Sequence, residues 1–188
     1  MKREPSKPYS YQDYLQWEGR WELIDGVAYH MGPSPTWEHQ FAIVELSFIL
    51  RSYFQNKHCY VAIAPFDVRF SSDDDYEHAP HVVQPDISVI CHKHQLTKNG
   101  CLGAPTLVIE VLSPSTALKD RNEKFKLYEK FAVQEYWIVD PVYQTIEVFG
   151  REDSFFKKRE VFGKGQRLTS FVFPDLTVEA SSIFFQTE

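Results

Sequence analysis

The sequence predicts an α/β protein with a mixed sheet and one long helix packed near its start. Three observations lead there. Residues 106–140 run strand, helix, strand (TLVIEVL, SPSTALKDRNEKFKLYEKF, EYWIVD), a crossover whose strands should be parallel and whose hand should be right. QPDISVI (84–90), joined to TLVIEVL (106–112) by a loop, is most simply its antiparallel neighbour. SPTWEHQFAIVELSFILRSYF (34–54) repeats apolar side chains at helical spacing along its whole length.

Each element has a local reason. MKREPSKP (1–8) is polar and proline-containing and reads as a flexible tail, leaving 9–188 as a single domain. YSYQDYLQW (9–17) is a short helix with Ser10 near its cap. WELIDGVAYHM (21–31) sets a D-G pair between two apolar runs, the strongest short hairpin signal. Ser34 then Pro35 supply cap and first-turn chemistry for the long helix. Trp37, Phe41, Val44 and Phe48 form one stripe on it and Ile43, Leu46, Leu50 and Tyr53 a second, so that helix should be largely buried. CYVAIA and FDVRF are strands broken near Pro65, SSDDDYEHAPH (71–81) is a polar loop, and HKHQLTKNGCLGAP (92–105) is a connecting loop. Asp120 with Glu123 makes a capping-box variant for the second helix, whose apolar side is Phe125, Leu127, Tyr128 and Phe131. QTIEVFG (144–150) is the hairpin partner of EYWIVD (135–140), and short strands follow to the end.

Composition narrows the class. At 188 residues, 43% hydrophobic and 15% aromatic, the chain can bury a substantial core and is not a disordered protein. It has no signal-peptide core and no apolar run near the ~20 residues of a membrane span. Cys59, Cys91 and Cys101 are odd in number and lack a C-x-x-C pair, so reduced thiols and a soluble, cytosolic protein are expected. A net charge of -6 excludes the simplest phosphate-neutralising surface. A local basic patch remains possible, since Lys119, Arg121, Lys124, Lys126 and Lys130 fall in one segment.

Two apolar strands each carry a single acid, Asp86 and Glu110. Unpaired carboxylates in apolar surroundings are costly, so something should compensate them. Alternate strand residues share a face, and if the strands pair both acids can lie on one face at adjacent ends. A divalent ion between them would relieve their repulsion, and hard oxygen donors favour magnesium or manganese over zinc. Lys124 shares a helical stripe with Leu127, Tyr128 and Phe131, so it should face the sheet and reach the acids. The plainer reading makes the acids ordinary strand-end residues and Lys124 a snorkelling side chain. CHKH (91–94) with Cys101, His78 and His81 fits no standard zinc spacing, and Asp73-Asp74-Asp75 lacks the glycine and distal glutamate of a calcium loop.

QPD (84–86), IEVLSPST (109–116), K-x-x-x-Y (124–128) and EYWIVDP (135–141), with WELIDGVAYHM and SPTWEHQ, resemble the Uma2-type endonucleases of the PD-(D/E)xK superfamily. The resemblance covers roughly residues 9–150. It implies a restriction endonuclease-like mixed sheet flanked by helices, with additional N- and C-terminal hairpins, magnesium dependence and phosphodiester hydrolysis. Asp86 and Glu110 match the metal-binding acids, with a backbone carbonyl near Val111 as a further ligand. Leu112 stands where the superfamily's lysine normally does, so the resemblance points to Lys124, which the stripe had already selected. Glu38 on the long helix is a candidate additional acid, or an acid favoured there by the helix dipole. The substrate implied is nucleic acid, most simply DNA, and a homodimer is plausible because two strands call for two sites. The rival reading is a catalytically inactive nuclease-fold binding or interaction module.

Overall fold

A computed structural model of the chain describes residues 2–3, 7–32 and 36–185. In chain order the first elements are β1 (Lys2–Arg3), α1 (Tyr11–Tyr14), β2 (Trp21–Ile24), β3 (Val27–His30) and α2 (Trp37–Phe54). Seven strands follow: β4 (Tyr60–Ile63), β5 (Val68–Phe70), β6 (His81–Val83), β7 (Ile87–Ile90), β8 (Leu96–Thr97), β9 (Gly100–Leu102) and β10 (Leu107–Val111). One helical arm is built from α3 (Ala117–Lys119), a π-helical turn (Asp120–Lys124) and α4 (Phe125–Lys130). Last come β11 (Glu135–Asp140), β12 (Thr145–Glu152), β13 (Phe155–Phe162), β14 (Arg167–Thr169), β15 (Thr177–Glu179) and a 3₁₀ turn (Ala180–Ile183).

The central sheet is ordered β13-β12-β11-β10-β7-β4. β10 runs parallel to β11 and antiparallel to β7, as the crossover and the loop connection require. A second sheet is ordered β1-β3-β2-β6-β5-β9-β8. The class is therefore α/β with mixed sheets and flanking helices. Strand alternation divides the core in two. Leu107, Ile109 and Val111, with Trp137 and Val139, pack against Leu46, Leu50 and Phe54 of α2. Val108 and Leu112, with Tyr136 and Ile138, face Leu127 and Tyr128 of α4 and Val68, Phe70 and Val83 of the second sheet. Glu110 belongs to this second face by its position between Val108 and Leu112.

Local expectations hold at several points. Ser10 caps α1, with its backbone N–H donating to Asp13 at 2.8 Å. The turn between β2 and β3 carries positive φ at both Asp25 (50°) and Gly26 (71°), the requirement of a type I′ turn.

Others are corrected. The stripe Trp37, Phe41, Val44, Phe48 is not core: Trp37, Val44 and Phe48 are 55, 61 and 69% exposed, and only the opposite side of α2 is buried. Both sides of this helix are apolar, so periodicity alone could not choose between them. Thr36 is the N-cap, accepting from the His39 N–H at 3.4 Å, while Ser34 and Pro35 lie outside the described residues. Asp120 is not an N-cap; the arm starts at Ala117 and Asp120 is buried inside it. Residues 92–105 are not only a loop, because β8 and β9 form there and extend the second sheet. Lys2 and Arg3 pair with Tyr29 and Ala28 of β3.

The thiols also differ from expectation. Cys59 and Cys91 form a disulfide, and Cys101 is the buried free cysteine. Tyr60 pairs with Ile90 across β4 and β7, so the next rung outward sets the two cysteines opposite each other, Cα to Cα 4.0 Å. Their separation of 32 residues hides that proximity in the sequence.

Candidate active site

Ile87 pairs with Ile109, so the next rung of the β7–β10 ladder sets Asp86 beside Glu110. The Val111 backbone N–H donates to Asp86 Oδ2 at 2.8 Å, and the Asp86 N–H reaches back to Glu110 Oε2 at 3.4 Å. Glu110 is 2% exposed. Its Oε1 accepts from Lys124 Nζ at 2.8 Å and from the Tyr128 hydroxyl at 2.6 Å. Lys124 and Tyr128 project from successive turns of one arm, which is how helical spacing delivers both to one carboxylate. The π turn that ends at Lys124 lies beside this site, where such insertions often occur.

Lys124 is shared. Besides Glu110 it meets Glu22 Oε1 at 2.9 Å and Asp120 Oδ1 at 3.6 Å, and Lys119 pairs with the other oxygen of Glu22. Glu22 is fully buried on β2 and also accepts the Gln84 backbone N–H at 3.0 Å. The acids respond differently. Burial pushes Glu22 up, but Lys124 and Lys119 outweigh it and hold the carboxyl at about 2. For Glu110 burial dominates, and the nearby Asp120, Asp86 and Glu22 carboxylates add to it against Lys124, lifting it to about 8. A close ion pair and a raised carboxyl coexist because a single ammonium is divided among three acids. Burial likewise pushes the Tyr128 hydroxyl well up, so it stays a neutral donor.

Asp86 opens into a cavity of about 160 Å³ whose lining includes Arg20, His39, Gln40, Ser113 and Ser115. His39 comes from α2, where it lies on the inward side with Ala42, Ile43 and Leu46. Its Nε2 stands 3.5 Å from Asp86 Oδ2, and its buried Nδ1 has no hydrogen-bond partner. Glu38, one position earlier, lines a different cleft with Thr36, Trp37 and Leu112, and the structure does not bring it to this group.

Of the residues picked from the sequence, Asp86, Glu110, Val111 and Lys124 are brought together. Glu22, His39, Asp120 and Tyr128 were missed as site residues. Glu22 carries the very signal that exposed the other two acids, one carboxylate in an apolar strand (WELI). Asp120 sits one turn before Lys124 on the same stripe.

Among the described residues, no three histidine, cysteine, aspartate or glutamate side chains converge as a ready-made ion site. The donor chemistry nevertheless suits a hard cation. Were Glu22, Asp86, Glu110 and Asp120 all ionised, Lys119 and Lys124 would leave two negative charges over, and this crowding is part of what lifts Glu110. A divalent ion carries that charge, and Asp86, Glu110 and the Val111 carbonyl offer it oxygen donors.

The fold and this acid–lysine group define a restriction endonuclease-like protein. The chain superimposes with a TM-score of 0.74 on a crystal structure from Anabaena variabilis described as a "putative nuclease belonging to DUF820", at 21% identity, covering 94% of this chain and 97% of that one. The chain belongs to the Uma2 family, described as "putative restriction endonuclease", whose model matches residues 11–181. It is 31% identical over 157 residues to the uncharacterized protein slr1290 of Synechocystis sp., with 79% of each chain covered. A second uncharacterized Synechocystis protein, sll1609, is 36% identical over 66 residues, which is 34% of this chain and 37% of that one. No helix among the described residues is long and apolar enough to cross a membrane.

Proposed function

We propose that the chain is an endonuclease that hydrolyses phosphodiester bonds, with DNA as substrate and magnesium or manganese as its ion. The observation that carries this reading is Asp86 opposite Glu110 at the next rung of the β7–β10 ladder, with Lys124 on Glu110. Asp86, Glu110 and the Val111 carbonyl would hold the ion, which when bound polarises a phosphate and acidifies a water. Asp86 faces the open cavity and meets the substrate side; Glu110 stands behind it. Lys124, only 3% exposed, holds one oxygen of Glu110 and leaves the other turned toward Asp86, so it acts as a positioning residue. Tyr128 fixes the same oxygen. Arg20, Ser113 and Ser115 offer a charge and hydroxyl donors to phosphate oxygens in the cavity.

The test is nicking of supercoiled plasmid with magnesium, manganese or calcium, extended to single-stranded, duplex and branched DNA. Asp86→Ala, Glu110→Ala and Lys124→Ala should abolish cutting, with circular dichroism confirming a folded protein. An Asp86→Ala protein that cuts as fast as the parent ends the proposal. A second reading, a binding module without catalysis, is favoured by one observation: Glu110 Oε1 is already taken by Lys124 and Tyr128. Magnesium titration by calorimetry separates the two, since a module binds DNA but not the ion.

A further inference from the structure

Arg20 lines the cavity beside Asp86, and among the described residues no carboxylate pairs with its guanidinium. Its Nη2 donates instead to a neutral acceptor, Gln84 Oε1, at 3.2 Å. The backbone of Arg20 is anchored separately, because its carbonyl accepts the Met31 N–H at 3.0 Å. We infer that Gln84 is a positioning residue that aims Arg20 at a substrate phosphate in the cavity, and that Asp67 and Tyr14 hold Gln84 to that task.

Donors and acceptors leave the Gln84 amide one orientation. Its Nε2 donates to Asp67 Oδ1 at 2.9 Å and to the Tyr14 hydroxyl oxygen at 3.2 Å. The Tyr14 hydroxyl donates to the same Asp67 oxygen at 3.0 Å. Burial first, then the charge of Asp67, push the Tyr14 hydroxyl well up, so it keeps the proton that it donates. A carboxylate only accepts and a guanidinium only donates. Turning the amide over would set its NH2 against Arg20 and its carbonyl against Asp67, losing both bonds. Gln84 is 9% exposed and its backbone N–H is tied to Glu22, so main chain and amide are both anchored.

A neutral acceptor suits this task better than an acid. A glutamate at position 84 would pair with Arg20, cancel the charge that a phosphate needs, and bring a like charge up to Asp67. The amide takes one N–H of the guanidinium and leaves the charge and the remaining N–H groups for a ligand. With the Ser113 and Ser115 hydroxyls on the same cavity, that donor set matches the unbridged oxygens of a phosphodiester. Gln84 also stands two residues before Asp86, so one stretch of backbone sets both the acid and the support of the clamp. Ordering a long side chain in advance is worth roughly two- to tenfold in affinity. The inference takes its ligand from the nuclease reading, and the test keeps the two apart.

Anisotropy of a fluorescein-labelled DNA duplex, titrated with the full chain in EDTA so that nothing is cut, reads binding alone. Arg20→Gln should weaken binding by about tenfold or more and flatten the slope of log affinity against log salt by about one, the loss of one phosphate contact. Gln84→Met, similar in size but without the acceptor, should weaken it roughly two- to tenfold and cost nothing further in the Arg20→Gln background. Tyr14→Phe, a gentler change that removes only the outer support, should give a smaller loss with the same dependence on Arg20. Circular dichroism checks that each variant is folded. Unchanged binding in Gln84→Met and Tyr14→Phe, or losses that add in full to that of Arg20→Gln, overturn the inference even where the chain nicks plasmid. A chain that binds in the expected pattern but nicks nothing sinks the nuclease reading and leaves Gln84 in its role. A wild-type chain with no affinity for DNA ends both.

Discussion

Lys124 and Glu110 meet at 2.8 Å in an enclosed ion pair between residues 14 apart in the chain. Leu112, two residues from Glu110 and on the same strand face, is where an in-line lysine would stand. Removing Lys124 leaves Glu110, Asp120 and Glu22 facing one another with less compensation. Lys124→Ala should therefore cost about 3–5 kcal/mol in a urea titration, besides ending activity. Adding Leu112→Lys to that variant, which returns an amine to the same face, should recover part of the loss.

His39 reaches from α2 to Asp86 through Nε2, and its buried Nδ1 has no hydrogen-bond partner. Groups that orient a metal-binding side chain are commonly worth 10–100-fold in affinity or rate. His39→Phe should slow nicking by about that factor while the melting temperature barely falls. Glu38→Ala, on the other cleft, should leave the rate unchanged. Equal losses in the two variants would mean that helix damage, not contact with Asp86, is responsible.

His81 supplies a pH dependence away from the site. It is 2% exposed, and its Nδ1 accepts the Asp25 N–H at 3.0 Å. Burial, only partly offset by Asp25, lowers it to about 4 from 6.5. The unfolded chain thus takes up this proton first as pH falls. Stability is fully present above about pH 6.5 and drains away down to pH 4, by about 3 kcal/mol at most. Chemical denaturation across that window should show a slope that is shallower in His81→Gln by one proton.

The Cys59–Cys91 disulfide closes a segment with a separation of 32 residues. Chain-entropy reasoning assigns such a loop about 3–4 kcal/mol. Dithiothreitol, or Cys59→Ser with Cys91→Ser, should lower unfolding free energy by that amount. Thiol titration offers a direct check. The denatured, unreduced protein should expose one thiol, Cys101, whose burial in the folded state pushes it up to about 12 and keeps it unreactive.

How far the sequence reached is clearest at particular residues. Alternation in TLVIEVL placed Glu110 on one face, and D-G placed the β2–β3 turn, because strand period and turn dihedrals are set by a few adjacent residues. Lys124 was legible because helical spacing fixed its side relative to Leu127 and Tyr128. Asp120 was misread as a cap, since an acid near a helix start suits both a cap and an interior, and only the partner that it meets decides.

By itself, the sequence determined the crossover unit, the paired acids and the lysine that serves them. Tertiary structure alone decided which apolar side of α2 faces the core, that Glu22 joins the charge group, that His39 rather than Glu38 meets Asp86, and that Cys59 faces Cys91. Periodicity is a property of neighbours in the chain. Burial and charge balance depend on segments that only packing brings together, and a buried charge takes whichever partner lies within reach.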